Sequence, residues 1–412
     1  MTNFDNTLKP NVWLSKNDPI PFMLDVAGKM HIGDRELILA HILSAHSIGL
    51  SDKVDPVHIY TVGKSGKGKG HTANTVLKLF PKEMTVPLAS FSSKAFFYAK
   101  EEKLQNKIIH CPEVTVKNND EEKVGLLRIL TDSPSNTSEA EHWTVDDKRQ
   151  HQTLKIKGRH VFWFNSVTPK EDDQVKNRVI LGNPDETKEQ DDKVFEQQQQ
   201  IYGLLQSPVK ESEFEFCREL NRLLLDEEAA DVFIPFTQFI GYPSTANRRL
   251  YPIFLTLIKS VTKIRANLRQ EITLLGDGIE RKALIATPED VETGIWVFKK
   301  LYPLTATQVS KQALILLDLM PDITKPGVTK EGLADLSGNS ADWCYRKCKE
   351  LVAANLVRVN QENRQFLYWK ENGEGNRSIS KIRVEWEKIG EKELTEAFST
   401  ISVPINEKEG IE

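Results

Sequence analysis

The sequence lacks any long apolar run, and its apolar stretches fall well short of the ~18 residues that a membrane-spanning helix needs. Residues 1–10 are polar, so the apolar segment of a secretory signal peptide is missing there. These two absences exclude an integral membrane protein. They predict a cytoplasmic chain without a membrane partner.

Cysteine is scarce, with 4 in 412 residues, and the four are too scattered for a disulfide framework. Cys344 and Cys348 stand four residues apart in a predicted helix and could share a metal ion. No second Cys or His pair at zinc-binding spacing accompanies them in the sequence. We therefore favour reduced thiols over a metal site.

An excess of positive charge is also missing, since 55 Lys and Arg against 59 Asp and Glu give a net charge of −4. This excludes a uniformly basic coat for nucleic acid, although a local basic patch stays open because binding depends on charge distribution. With 39% hydrophobic and 28% charged residues, the composition is typical of a globular protein. The length predicts roughly two to four domains.

Short apolar runs separated by helical patterns predict an α/β fold. Residues 57–62, 107–111 and 160–164 are rich in β-branched and aromatic side chains, as buried strands are. Such continuous apolar runs are typical of a parallel sheet covered on both faces. Between the last two runs, residues 143–157 alternate around a polar tip and predict an inserted hairpin.

The second half of the chain predicts helices over 201–300, the longest at 246–269. Three further helices and a short strand pair then predict a winged helix-turn-helix; they lie at 309–319, 329–336, 339–354, 356–359 and 365–368. The predicted units are an extended lead-in (1–33), a phosphate-binding core (34–200), a helical region (201–304), the winged helix (305–372) and a peripheral tail (373–412) with a disordered end.

A loop rich in glycine and lysine follows the first predicted strand and opens a helix. It fits the pattern G-x-x-x-x-G-K from Gly63 to Lys69. Glycines let backbone N–H groups curl around a phosphate, and the lysine neutralises its oxygens at a helix start. We favour a nucleotide phosphate as the ligand over a merely flexible basic turn. The expected contacts are Gly63, Ser65, Gly66, Lys67, Gly68, Lys69, Gly70, His71 and Thr72.

The expected Mg²⁺ ligands depart from the usual pattern at two positions. Gly70 stands where a Ser or Thr hydroxyl is usual, so either Thr72 takes that part or water holds the ion. The second strand ends in Pro112-Glu113, with the proline where a metal-linked Asp is usual. Glu113 is the candidate for holding Mg²⁺ and polarising the attacking water. A strand-terminal turn without a catalytic part is the alternative.

Two more polar residues complete the candidate catalytic set. Asn165 ends the third strand and could orient the same water, unless it only belongs to a turn. Arg178 could stabilise transition-state charge on the nucleotide of a neighbouring subunit, unless it is an ordinary surface arginine.

This order of motifs resembles the AAA+ helicase-like ATPase module of plasmid- and phage-type primase and replication proteins, a relative of superfamily III and MCM-type helicases. The segments that carry the resemblance are 63–81, 92–113, 126–130, 161–166, 177–190, 234–259 and about 305–370. The likeness spans about residues 33–370 and includes no separate primase catalytic domain. It implies a P-loop AAA+ parallel-sheet core with a helical lid, followed by an α+β winged helix-turn-helix domain.

The resemblance also implies ATP and Mg²⁺ bound at the subunit interfaces of a homo-oligomeric ring. The matching residues are the phosphate-binding Lys69, the catalytic Glu113, Asn165 at sensor 1 and the arginine finger Arg178. Arg248 and Arg249 match the paired arginines at the start of the lid helix and act as sensor 2, or else form a solvated helix start.

DNA is the expected partner of two basic segments. In related helicases the inserted hairpin contacts the DNA backbone, and here it carries Lys148, Arg149, His151 and Lys155. In a winged helix the third helix enters the major groove while the wing touches the backbone. The candidates there are Arg346, Lys347, Lys349 and, on the wing, Arg364. A plain surface hairpin and a module that docks other replication proteins are the alternatives.

The sequence thus supports two main hypotheses. The first is an ATP-dependent DNA-remodelling protein, a helicase or helicase loader in the replication of a mobile genetic element, acting on single- or double-stranded DNA. The second is a nucleotide-responsive winged-helix initiator with weak or no ATP hydrolysis, favoured by Gly70 and Pro112. An AAA+ protein remodeller is weaker, because it gives the winged helix no role.

Overall fold

The structure, a computed structural model, describes the greater part of the chain. The described residues are 9–51, 54–63, 65–89, 96, 104–113, 121–131, 140–145, 151–156, 159–166, 173–204, 209–226, 230–242, 248–276, 279–307, 309, 311–354, 356–362, 365–370, 382–384 and 386–390. Within these ranges, no helix has both the length and the apolar character needed to cross a lipid bilayer.

Two helices occupy the segment that the sequence analysis predicted as an extended lead-in. Helix α1 spans Pro10–Leu14 and α2 spans Pro19–Met30. The prolines stand at the first helical position, where a missing N–H costs nothing, and Asp18 caps α2 by accepting from Ile20 N at 2.9 Å. Most apolar side chains of α2 are buried in the main core. The prediction was wrong because these prolines begin helices.

The phosphate-loop region alternates strands and helices, as expected. The elements in chain order are α3 (Arg35–His46), β1 (His58–Val62), α4 (Lys69–Leu77), β2 (Thr85–Pro87), β3 (Lys107–Cys111), α5 (Glu121–Thr131), β4 (Ala140–Val145), β5 (His151–Ile156), β6 (His160–Ser166), α6 (Asp173–Lys176) and β7 (Val179–Gly182). Among the described residues, five of the strands form a parallel sheet in the order β2-β3-β6-β1-β7.

The sheet is buried on both faces, and this confirms the α/β class. Ile59 and Trp163 face one hydrophobic cluster, which the N-terminal helices and residues 250–264 share. Tyr60 and Phe164, one residue further along each strand, stack with ring centroids 4.5 Å apart in the opposite cluster. This period of two is the expected geometry of a strand buried on both sides.

The predicted hairpin is confirmed in its backbone. Strands β4 and β5 pair antiparallel, from Ala140 opposite Ile156 to Val145 opposite His151. In chain order the hairpin lies between α5 and β6.

The region predicted as helical is helical only in part. Its elements are α7 (Lys188–Leu204), α8 (Glu211–Asp226), β8 (Asp231–Phe233), α9 (Leu250–Ile264), β9 (Glu271–Gly276), β10 (Ile279–Ile285) and α10 (Pro288–Thr307). The prediction of helix throughout 201–300 was wrong, because β8, β10 and β9 form a three-stranded sheet. The sequence signal was present: Asp277-Gly278 separates two β-rich runs, a pattern typical of a two-residue hairpin.

The C-terminal module has its own core. It comprises α11 (Lys311–Asp318), α12 (Lys330–Ser337), α13 (Ala341–Ala353), β11 (Val357–Glu362) and β12 (Gln365–Lys370). The predicted three helices and strand pair are confirmed to within a few residues. Cys344 and Cys348 are fully buried in this core as thiols, and the described residues contain no group of three or more His, Cys, Asp or Glu side chains that could hold a metal ion.

Part of the predicted peripheral tail packs into the main core. Ile382 and Val384 are buried there, and Val384 bridges to Ile240. Trp386 stacks edge-on against Phe236 with ring centroids 5.1 Å apart. The expectation of a peripheral segment was therefore wrong for residues 382–384 and 386, which pack against residues 236–241 after β8.

Three buried histidines predict an acid-labile fold. Burial lowers the pKa of His41, His46 and His110 from 6.5 to about 4. The unfolded chain takes up these protons near pH 6.5 and the folded chain only near pH 4. The contribution of these histidines to the free energy of unfolding is therefore fully present above pH 6.5. It is lost as the pH falls towards 4, by about 3 kcal/mol for each histidine. Denaturant unfolding between about pH 7 and about pH 4.5 measures this loss.

A single variant tests the assignment. His46 donates from Nε2 to Asn221 Oδ1 at 2.8 Å, and His46→Gln keeps an N–H donor without a titrating ring. The variant should lose less free energy of unfolding over the same pH range than the wild type. A wild-type free energy of unfolding that does not change over this range would contradict the prediction.

Candidate functional site

The phosphate loop curls between β1 and the first turn of α4. Gly66 and Gly68 have φ angles of +79° and +90°, in the left-handed region that glycine adopts without strain. The loop can therefore turn back on itself and leave the N–H groups at the start of α4 facing the same space. This arrangement favours an anion.

Lys69 is held at the mouth of this loop. Its Nζ donates to the carbonyl oxygen of Gly63 at 2.6 Å. Burial lowers the pKa of Lys69, while the negative charges of Glu186 and Glu113 act in the opposite direction. The ammonium group is thus partly desolvated and surrounded by acceptors, and phosphate oxygens can compete for it.

The strand order brings Glu113 and Asn165 to the same edge of the sheet as the loop. Strand β6 lies between β1 and β3, with Asn165 in register with Thr61, and Glu113 follows the end of β3. Glu113 and Asn165 line a cavity of about 630 Å³ together with Ser65, Gly66, Lys67, Gly68, Lys69, Gly70 and His71. The predicted site residues of these three strands are therefore brought together.

The side-chain amide nitrogen of Asn165 is a buried donor at the cavity wall. The side chain is 1% exposed, and its Nδ2 has no hydrogen-bond partner among the described residues. A Cβ atom at Gly70 would lie 4.0 Å from this nitrogen. Because an unsatisfied buried donor is costly, the geometry favours an oxygen acceptor in the cavity.

Thr72 is not brought to the cavity. It is fully buried, and its Oγ1 donates to the carbonyl oxygen of Gly68 at 3.1 Å. Of the two candidate metal ligands, only Glu113 lies on the cavity wall. A single carboxylate still fits Mg²⁺, which is commonly bound through one or two carboxylates together with substrate phosphates and water.

Residues before α3 form a part of the site that the sequence analysis missed. His31 Nε2 lies 3.0 Å from Asp34 Oδ2, and His31 Nδ1 lies 2.8 Å from His71 Nδ1. The carboxylate can only accept, so Nε2–H of His31 donates to Asp34, while its Nδ1 shares a hydrogen bond with Nδ1 of His71. Asp34 has a φ of +48°, which Asp tolerates better than most residues. The N-terminal segment thereby fixes the orientation of His71.

Helix α7 forms the wall opposite the loop, and it too was not expected there. Gln190 donates to the carbonyl oxygen of Ile32, and Gln197 donates to that of Lys29 at 2.7 Å. Lys67 of the loop pairs with Asp191 on the same helix. The apolar part of this wall consists of Met30, Ile32, Val194, Ile201 and Tyr202. No local sequence signal marks these residues, because they meet only through the fold.

The predicted arginines lie outside this cavity. Arg178 precedes β7, and β7 begins in register with His58, at the edge of the sheet opposite the phosphate loop. A strand of five residues separates the two edges by ~13 Å. Arg178 donates to the carbonyl oxygen of Arg128 at 3.0 Å. Arg248 and Arg249 are exposed at the start of α9 and do not line the cavity.

The candidate DNA contacts are described only in part. Lys148, Arg149 and Arg364 lie outside the described residues, and His151 and Lys155 are placed by their backbone on β5. On α13, Arg346 and Lys349 are exposed, whereas Lys347 pairs with Glu350 at 2.9 Å. Lys349 Nζ also lies 4.6 Å from the ring centroid of Tyr345. Two exposed positive charges thus share the helix that was predicted to contact DNA.

Replacement of Lys69 tests the phosphate site. Lys69→Ala removes the charged donor and should weaken the binding of a nucleoside triphosphate by about tenfold or more, since hydrogen bonds to charged groups contribute about 1.5–3 kcal/mol. Lys82→Ala, an exposed lysine beyond the same helix, is the matched control and should bind as the wild type does. Titration calorimetry measures both; equal affinities for the two variants would contradict the assignment.

Comparison with known proteins agrees with this geometry. No curated protein matches the chain. The MTBMA_p00010 P-loop domain family matches residues 8–227, slightly more than half of the 412 residues, and the matched range contains the phosphate loop, the five-stranded sheet and α7. The chain therefore belongs to the MTBMA_p00010 P-loop domain family, and its phosphate loop makes it a nucleotide-binding P-loop protein.

Proposed function

We propose that this protein is an ATP-dependent DNA-remodelling ATPase, a helicase or helicase loader of AAA+ type that serves the replication of a mobile genetic element. The observation that carries the proposal is the shared cavity of Lys69, Glu113 and Asn165, with Arg178 at the opposite edge of the same sheet. One edge of the sheet thereby carries the groups for phosphate binding and water activation. The opposite edge carries Arg178, a donor for the nucleotide of a neighbouring subunit.

ATP fits the two halves of the cavity. Its phosphates lie against the loop, where Lys69 and the start of α4 supply positive charge. Its base and ribose lie against the apolar wall formed by α7 and the end of α2, with Tyr202 available for stacking. A cavity of about 630 Å³ lies within the usual range for small-molecule sites.

Glu113 and Asn165 supply the hydrolytic chemistry. The Glu113 carboxylate accepts a hydrogen bond from water and orients it towards the terminal phosphate, while Asn165 Nδ2 donates to the water or to a phosphate oxygen. Glu113 is the side chain that would hold Mg²⁺ together with phosphate oxygens and water, and the ion would supply positive charge against the phosphates.

Arg178 acts between subunits. It precedes β7 at the edge of the sheet opposite the phosphate loop of its own chain, and we therefore assign its guanidinium to the nucleotide of a neighbour. A head-to-tail contact that brings one chain's sheet edge to the next chain's cavity closes into a ring when the rotation permits. A homo-oligomeric ring follows from this proposal.

DNA is contacted by the hairpin and by the C-terminal module. The hairpin lies between α5 and β6 in chain order and carries the basic residues of this segment. The three helices and strand pair of the C-terminal module have the order of a winged helix, with Arg346 and Lys349 exposed on its third helix. Contacts of this kind track phosphates and weaken with salt.

A second candidate function is a nucleotide-responsive initiator that binds ATP and DNA with little or no hydrolysis. The observation that favours it is the internal hydrogen bond of Thr72, which keeps its hydroxyl from Mg²⁺ while Gly70 and Pro112 offer no ligand side chain. Tight ATP binding with sequence-specific DNA protection and no turnover would select this function.

DNA-stimulated ATP hydrolysis tests the proposal. The wild type should turn over ATP faster with single-stranded DNA, and Lys69→Ala should lose both binding and turnover. Glu113→Gln should keep ATP binding and lose turnover by about a hundredfold, as removal of a general base does. Glu215→Gln, an exposed carboxylate on α8, is the matched control and should behave as the wild type. Wild-type turnover no higher than that of Lys69→Ala would reject the ATPase.

A further inference from the structure

The segment after β7 is fixed against the phosphate loop. Asn183 Nδ2 donates to the carbonyl oxygen of Val62 at 3.0 Å, and the backbone N–H of Asp185 donates to Asp34 Oδ1 at 2.7 Å. These bonds hold residues 183–185 beside the start of the loop, and Glu186 follows directly.

One carboxylate oxygen of Glu186 packs against the first residue of the loop. A Cβ atom at Gly63 would lie only 3.0 Å from Glu186 Oε1, so no larger residue fits there without movement. The carbonyl oxygen of the same Gly63 accepts from Lys69 Nζ at 2.6 Å. Glu186 and Lys69 thus meet at one residue of the loop, and the negative charge of Glu186 favours the charged form of Lys69.

The other carboxylate oxygen of Glu186 reaches the C-terminal module. Gln312 Nε2 donates to Glu186 Oε2 at 3.0 Å. Gln312 lies in the first turn of α11, and its neighbour Ala313 is buried in the separate core of that module. One side chain therefore contacts both the phosphate loop and α11, the first helix of the module proposed to bind DNA.

We propose that Glu186 is a positioning residue that couples nucleotide binding at Lys69 to the C-terminal module through Gln312. The inference rests on the proposed function only for the nature of the two ligands, a nucleotide and DNA. The phosphate loop and α11 both contact the carboxylate of Glu186, so a shift of that carboxylate at one of them alters its contact with the other.

The direction of the coupling follows from charge. The phosphates of a nucleotide compete with Glu186 for Lys69 and repel its carboxylate. The hydrogen bond from Gln312 draws that carboxylate towards α11 and thereby favours the nucleotide-bound arrangement. The coupling is reciprocal. If the hydrogen bond to α11 favours nucleotide binding, nucleotide binding must strengthen that hydrogen bond by the same free energy.

A double-mutant cycle on nucleotide affinity tests the coupling. Glu186→Gln removes the competing charge and should tighten binding of a non-hydrolysable ATP analogue by about fivefold. Gln312→Ala leaves the carboxylate to Lys69 and should weaken binding by about threefold in the wild type but not in the Glu186→Gln background. Gln361→Ala, an exposed glutamine on β11 of the same module, is the matched control and should bind as the wild type does.

Amide hydrogen exchange of α11, measured with and without the analogue, separates coupling from a purely structural role of Glu186. A purely structural role would not make exchange in α11 depend on the analogue. The analogue should alter exchange in α11 of the wild type and of Gln361→Ala, and should leave it unaltered in Glu186→Gln. Equal effects of Gln312→Ala in both backgrounds, or an α11 response that persists in Glu186→Gln, would overturn the inference. The cycle measures binding alone. A wild type that binds the analogue but never hydrolyses ATP therefore rejects the proposed ATPase, while the affinities of the variants still decide whether Glu186 couples the two sites.

Discussion

The parallel direction of the five central strands is the constraint on which the rest of the molecule depends. Parallel strands place all their carboxyl ends at one edge, and β1, β3 and β6 therefore deliver the phosphate loop, Glu113 and Asn165 to a single cavity. The same rule sends the residue before β7, Arg178, to the other edge. Such a sheet must be covered on both faces, which the two hydrophobic clusters do.

Much of the fold could be predicted from the sequence, because buried strands and amphipathic helices carry local periodicity. Strands β1, β3 and β6 of the core and the three helices and strand pair of the C-terminal module follow from such patterns, whereas the short strands β2 and β7 were not predicted. The failures have other causes. Pro10 and Pro19 suggested extended chain but begin helices, and the three-residue strand β8 lies among helices. The hairpin of β9 and β10 was missed although Asp277-Gly278 marks it in the sequence. Val384 joins the main core only through a contact distant in sequence.

The site was predictable as far as it is built from strand ends and the loop. Lys69, Glu113 and Asn165 could be predicted because parallel strands end at one edge of the sheet. The His31–Asp34 pair and the α7 wall could not, because they lie far from the loop in sequence and meet it only through the fold. The role of Thr72 could not be read from spacing either, because its hydroxyl is satisfied within the first turn of α4. Hydrogen bonds within the fold decide which polar groups a cavity can use.

The central proposal is that each ATPase site lies between two chains, with Lys69 from one and Arg178 from the next. Mixing two inactive variants tests it most directly. Lys69→Ala chains keep Arg178, and Arg178→Ala chains keep the phosphate site, so roughly one interface in four of a randomly mixed ring pairs both intact residues. The account predicts that each variant is inactive alone and that an equal mixture regains roughly a quarter of the wild-type ATPase rate. A mixture no more active than the separate variants, beside an active wild type, would contradict it.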